Sequence, residues 1–122
     1  MIYATKIVGW GDRALMFASD KMIIFFHKMA PAELAEYCVL LDDFQGEGRI
    51  EPGQCLLLGD TSYRITAVGE AANENFRNLG HIVVHFDGKE KEGLPGEVHV
   101  EDKNIIKLAV GMPVAIIKHK EV

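Results

Sequence analysis

Short stretches in which apolar residues recur at every second position, separated by glycine, run along most of this chain. That pattern marks strands with one face turned to a core. The predicted strands are Ile2–Val8, Lys21–His27, Tyr37–Leu41, Gln54–Leu58, Ser62–Val68, His81–Phe86, Glu97–Val100 and Val114–Lys120. They are rich in Val, Ile, Phe and Tyr, and Gly9, Gly46, Gly48, Gly53, Gly59, Gly69, Gly88 and Gly111 bound them. Two segments read as helix. Pro31–Tyr37 opens with a proline suited to a first helical turn and carries early acidic residues. Glu70–Leu79 sets Ala72, Phe76 and Leu79 on one face, with Glu74, Arg77 and Asn78 away from it, and Gly80 suits a left-handed helix stop. Many short strands with little helix predict a mainly β fold, a small closed or partly open β-barrel with one or two short helices. No linker or low-complexity stretch divides residues 1–122, so a single domain is expected.

Composition narrows the function classes. At 122 residues, with 48% hydrophobic and 25% charged residues, the chain can bury a continuous core without a disulfide or structural metal. The net charge of -5 argues against nucleic-acid binding, which needs clustered Lys and Arg. The longest apolar run, Met22–Phe26, is far below the ~20 residues of a membrane-spanning helix. The opening MIYATKIVGWGD has no basic stretch followed by a long apolar one, so no signal peptide and no membrane insertion are expected. Cys38 and Cys55 lie in apolar strands and read as reduced core residues of a cytoplasmic protein.

The five histidines are the main chemical resource. In the strand after Gly80, Ile82, Val84 and Phe86 form the core face, leaving His81 and His85 on the other side. His81 and His85 are separated by roughly 13 Å, too far to share one metal ion. Val98 and Val100 likewise leave His99 off the core, where either of the others can meet it. His81 and His99 are therefore the candidate reactive histidines, with a backbone-bonded polar residue as the plainer reading of each. His85 and His119 read as surface residues, and His27 as a cap on the apolar surface of Ile23 and Phe25. Asp42-Asp43 reads as a solvated loop start. No metal site or cofactor is expected: ligand spacings are missing, and FQGEGRIEPG lacks the Lys-Ser/Thr ending of a nucleotide-binding loop. Gly9-Trp10-Gly11 reads as a turn.

Several segments occur in the order and at the spacings of a known family: Ala30–Cys38 (APAELAEYC), Pro52-Gly53, Tyr63 with Thr66–Gly69, Asn75 with Leu79-Gly80-His81, Phe86-Asp87-Gly88, and Pro95-Gly96 with Val98-His99-Val100. Together they resemble the glucitol/sorbitol-specific enzyme IIA component of the bacterial sugar phosphotransferase system. The resemblance implies a barrel-like cytoplasmic phosphocarrier. Such a protein takes a phosphoryl group on histidine from the carrier HPr and relays it to the sugar-specific membrane component. It also implies an acceptor three residues after the Glu-Tyr-Cys motif. That place is Leu41, beside Leu40, Asp42 and Asp43, and leucine cannot carry phosphate. Two readings follow: a phosphocarrier using another histidine, with His81 first and His99 second as the phosphoryl acceptor or a partner to one, or a phosphorylation-silent binding or regulatory module on the same fold. A small-molecule-binding barrel is a third, and self-association into a homo-oligomer is left open.

Overall fold

The computed structural model describes residues 2–91 and 93–119. Its strands are β1 (Tyr3–Trp10), β2 (Met22–His27), β3 (Val39–Leu41), β4 (Gln45–Gly46), β5 (Cys55–Leu58), β6 (Thr61–Val68), β7 (Ile82–His85), β8 (Glu97–Val100) and β9 (Pro113–Ile117). The sheet order is β3-β2-β7-β8-β6-β5-β9-β1-β4, and a further β3–β1 pairing joins the ends. The result is a closed barrel of eight strands, with the two-residue β4 outside the ring against Tyr3 and Ala4. Two neighbouring pairs are parallel, β2–β3 and β7–β8, and the other pairs are antiparallel. The mainly β barrel expected from the sequence is therefore observed, in its closed form.

Alternation explains which residues fill it. Ile7, Ile23, Phe25, Val39, Leu41, Leu58, Tyr63, Ile65, Val84, Phe86, Val98 and Val100 are each no more than 2% exposed. Inward side chains of this size fill an eight-stranded barrel. The remaining interior void is about 30 Å³ and wholly apolar in lining, room for little more than one water and without polar groups to hold it. This leaves no interior space for a small-molecule ligand.

Helix α2 (Ala72–Leu79) closes one end of the barrel. Phe76 inserts between Tyr3 and Phe44, with ring centroids 5.0 and 4.7 Å away. Asn73, also buried, accepts from the Ile50 N–H at 2.7 Å and donates to the Ile50 carbonyl at 3.0 Å. These bonds satisfy the backbone of a buried loop residue, each worth about 1 kcal/mol net. Leu79 departs from its expected core position. It shares the apolar face of α2 but lies at the last turn, beyond the barrel end, and is 47% exposed. Gly80 then ends the helix at φ +63°, the left-handed stop its composition suggested.

Three local expectations change. Gly9 and Trp10 lie within β1 rather than in a turn. An irregularity between Ile7 and Gly9 lets the strand reach Leu40 and Val39. The helix expected over Pro31–Tyr37 shrinks to one turn, α1 (Ala32–Ala35), which buries no side chain and so has little tertiary support. Ala14–Asp20 forms a 3₁₀ helix that strand and α-helix periodicity did not reveal. Lys120, the expected end of the last strand, lies outside the described residues.

Candidate functional site

Two clusters of imidazole and carboxylate lie apart on the barrel. The first is built on the parallel pair β7–β8, whose register sets His85 opposite His99. Their rings stack at 5.0 Å with planes 18° apart. His99 Nδ1 donates to Asp87 at 2.9 Å, and His85 Nε2 donates to Glu97 at 2.8 Å. His99 Nε2 has no hydrogen-bond partner among the described residues, and a carboxylate oxygen of Glu97 is 3.8 Å away. Burial pushes the carboxyls of Asp87 and Glu97 up, but their bonds outweigh it and hold both below the usual carboxylate range. For Asp87 those are His99 and the Lys89 N–H; for Glu97, the Leu94 N–H and His85.

His99 does lie off the barrel interior, as its strand position implied. Yet it is only 3% exposed, because His85, Asp87 and Glu97 cover it. His85 is not the free surface residue expected, since its ring is held between Glu97 and His99. No carboxylate, thiolate and imidazole set among the described residues has the geometry of a metal site. A phosphoryl group has no path to His99 Nε2, and Asp87 and Glu97 would repel it.

His81 is separate from this cluster. It joins α2 to β7, its Nδ1 donates to the Phe25 carbonyl at 3.3 Å, and its ring lies 4.8 Å from that of Phe26. The structure therefore does not bring His81 and His99 together. They lie toward opposite ends of a strand span of roughly 13 Å.

The second cluster lies at the barrel rim where β2 and β3 end. Their parallel register sets His27 beside Leu41, which is 2% exposed and part of the core. The Met29 N–H donates to His27 Nδ1 at 3.1 Å. That bond requires a lone pair on Nδ1 and so places the proton on Nε2, which donates to Asp43 at 2.7 Å. Asp42, next in the chain, accepts from Lys28 at 2.6 Å. This bond lowers the Asp42 carboxyl and raises the Lys28 ammonium. Asp43 is thus exposed as expected, while Asp42 is half-buried, and each acid has a cationic or imidazole partner. His27 and Asp43 line an open groove of about 610 Å³ with Phe26, Leu34, Arg77 and Leu79. Arg77 has no ion-pair partner among the described residues. Reading His27 as an apolar cap missed this site, because the pairing with Asp43 depends on the β2–β3 register. The sequence hint was that a histidine ends one strand and two acids follow the end of the other.

His119 is exposed and forms no hydrogen bond among the described residues. Cys38 and Cys55 are both buried and free, and burial raises the Cys38 thiol. Neither offers a reactive thiolate.

Comparison with known proteins agrees with this architecture. The crystal structure of a phosphotransferase-system IIA component from Enterococcus faecalis V583 superposes with a TM-score of 0.80. It covers 93% of this chain and 98% of that one at 25% identity. The glucitol/sorbitol-specific EIIA components of Escherichia coli K12 and Shigella flexneri are each 42% identical over 100 residues, which is 82% of this chain and 81% of theirs. The family model for the glucitol/sorbitol-specific IIA component of the phosphotransferase system matches residues 2–115. With the family model matching nearly the whole length and these relatives 42% identical, this chain is a member of that family.

Proposed function

We propose that this chain relays phosphoryl groups in a glucitol/sorbitol-type sugar phosphotransferase system, receiving them from HPr and handing them to the sugar-specific membrane component. The family match over residues 2–115 carries this reading. The filled barrel supports it, because a relay protein needs no substrate cavity, only a nucleophile at its surface. The place of action is the cytoplasm, where HPr and the cytoplasmic face of the transporter meet. No helix among the described residues is long and apolar enough to cross a membrane.

Within this role His81 acts as a partner to the accepting group. Its bond to the Phe25 carbonyl and its contact with Phe26 hold the end of β2, the strand whose last residue is His27. His99 acts further away by tying β8 to Asp87. Both are positioning roles for residues first selected as acceptors.

The test is reconstitution. The purified protein is incubated with phosphoenolpyruvate, enzyme I and HPr, and its intact mass is followed. The expected result is one acid-labile phosphoryl group, lost again when membranes bearing the sugar-specific component and glucitol are added. No mass gain while enzyme I and HPr are active would instead make this chain a silent binding module.

A further inference from the structure

We propose that Asp43 is the phosphoryl acceptor of this chain, taking the group on Oδ2 as an acyl phosphate while His27 orients the carboxylate and Arg77 meets the phosphoryl oxygens. The inference rests on the relay reading and names the atom at which the relay occurs.

The imidazoles are spent on other work. The Met29 N–H occupies His27 Nδ1, and the Nε2–H is given to Asp43 Oδ1, so this ring is a donor with no free in-plane lone pair. His99 is buried beneath a ring and two carboxylates. His85 gives its Nε2–H to Glu97, and its ring lies against that of His99. His81 is fixed by the Phe25 carbonyl, packed on Phe26, and lies outside the groove lining. His119 has no hydrogen-bonded partner among the described residues to orient it.

Asp43 is placed differently. Its side chain is 80% exposed, and it is the one carboxylate lining the rim groove among the described residues. Oδ1 is held by His27 at 2.7 Å, and no hydrogen bond among the described residues reaches Oδ2, whose lone pairs are free to attack phosphorus. The adjacent acid is already balanced: Asp42 Oδ1 accepts from the Lys28 ammonium at 2.6 Å and from the Asp43 N–H at 2.9 Å. Arg77 lines the same groove and has no ion-pair partner among the described residues. Gly80 lets the end of α2 close on the end of β2, since a Cβ there would stand 3.0 Å from both His27 Cβ and its backbone nitrogen. Water in the open groove screens the repulsion between carboxylate and phosphoryl oxygens, and the guanidinium opposes it with two parallel N–H donors.

The step balances without a further reactant. Asp43 Oδ2 forms the O–P bond as the N–P bond to the donor imidazole breaks in line with it. The donor nitrogen takes the electron pair of the broken bond. Its ring, protonated on the other nitrogen, leaves as neutral imidazole, so no proton is asked of this chain. The product is a mixed anhydride whose carbonyl oxygen, Oδ1, still accepts from His27 Nε2–H. Onward transfer runs the same way: the recipient nucleophile attacks phosphorus and the carboxylate leaves with the O–P pair. An acyl phosphate keeps the high transfer potential of a phosphoramidate, as a relay requires.

The experiment uses the whole chain with phosphoenolpyruvate, enzyme I and HPr, followed by intact mass. The expected phosphate is lost in alkali as well as in acid, whereas phosphohistidine survives alkali. Borohydride reduction followed by peptide mass mapping is expected to find homoserine at position 43. Asp43→Asn and Asp43→Ala abolish the gain with the wild-type circular dichroism spectrum and melting transition; His81→Ala and His99→Ala, where folded, keep it. Arg77→Gln slows transfer about tenfold, less than the loss of a donor in a water-excluded site. His27→Ala slows transfer with the phosphate still on Asp43, and His27→Gln, which keeps an N–H donor, restores part of the rate. An alkali-stable phosphate, or a folded Asp43→Ala that still gains one, overturns the assignment and leaves the relay reading standing. Wild-type rates in Arg77→Gln or His27→Ala refute the role given to that residue. No gain by the wild-type chain while enzyme I and HPr are active overturns the relay reading itself, and this inference with it.

Discussion

The rim pair His27–Asp43 and the buried group His85–Glu97–His99–Asp87 are made of the same chemical parts, yet they serve opposite ends. At the rim the carboxylate is 80% exposed and the imidazole 23%, so the bond between them can open and close in water. On the β7–β8 face the carboxylates are 16–26% exposed and His99 is 3% exposed, so each bond replaces hydration already lost. Burial, more than residue identity, divides the group that solvent reaches from the group that holds the fold. A histidine beside an acid signals chemistry only when a substrate can reach the pair.

Breaking the buried group should have the largest effect on folding. Asp87→Ala leaves His99 Nδ1 buried with no acceptor, and should cost about 2 kcal/mol in urea unfolding, the usual loss for an orphaned buried polar group. Loss below ~0.5 kcal/mol would mean that the pair is dispensable. The pH dependence sharpens the same contrast. Folding holds the Asp87 and Glu97 carboxyls below their unfolded values. Their contribution is therefore complete above about pH 5 and is lost as pH falls through the lower folded values. The melting temperature should drop on acidification in that window, and the drop should be shallower in Asp87→Asn.

Gly80→Ala probes the rim through the backbone. At φ +63° an alanine costs about 1 kcal/mol, and the added methyl presses on His27. Stability in urea unfolding should fall by at least that amount; an unchanged midpoint would show that His27 gives way to the methyl without cost. Asp43→Ala should have the smallest effect on folding, within ~0.5 kcal/mol, since an exposed pair contributes little. A larger loss would erase the distinction between the two sites.

How far these sites were legible in the sequence follows from what periodicity can encode. Alternation in Ile82, Val84 and Phe86 correctly set the core face of β7, and Val98 and Val100 did the same for β8. A period of two says which face a residue occupies but not which strand lies next to it. The stacking of His85 on His99 and the approach of His27 to Asp43 both depend on parallel pairings across intervening loops. Leu79 misled for a related reason: its helical angle was right, but the barrel it should have packed on ends one turn earlier. The family resemblance supplied the relay and agreed with the barrel that the strand pattern predicts. It could not supply the nucleophile, because the expected place holds a leucine packed in the core.

The pairing of β3 with β1 closes the ring, and that has a consequence for how partners meet this protein. With each strand of the ring bonded on both sides, none is left to accept an added strand from a docking protein, a mode that would make for long-lived complexes. Contact must instead be made through side chains. A courier that visits a donor and a recipient in turn needs such brief handshakes, and the seamless wall of the barrel enforces them.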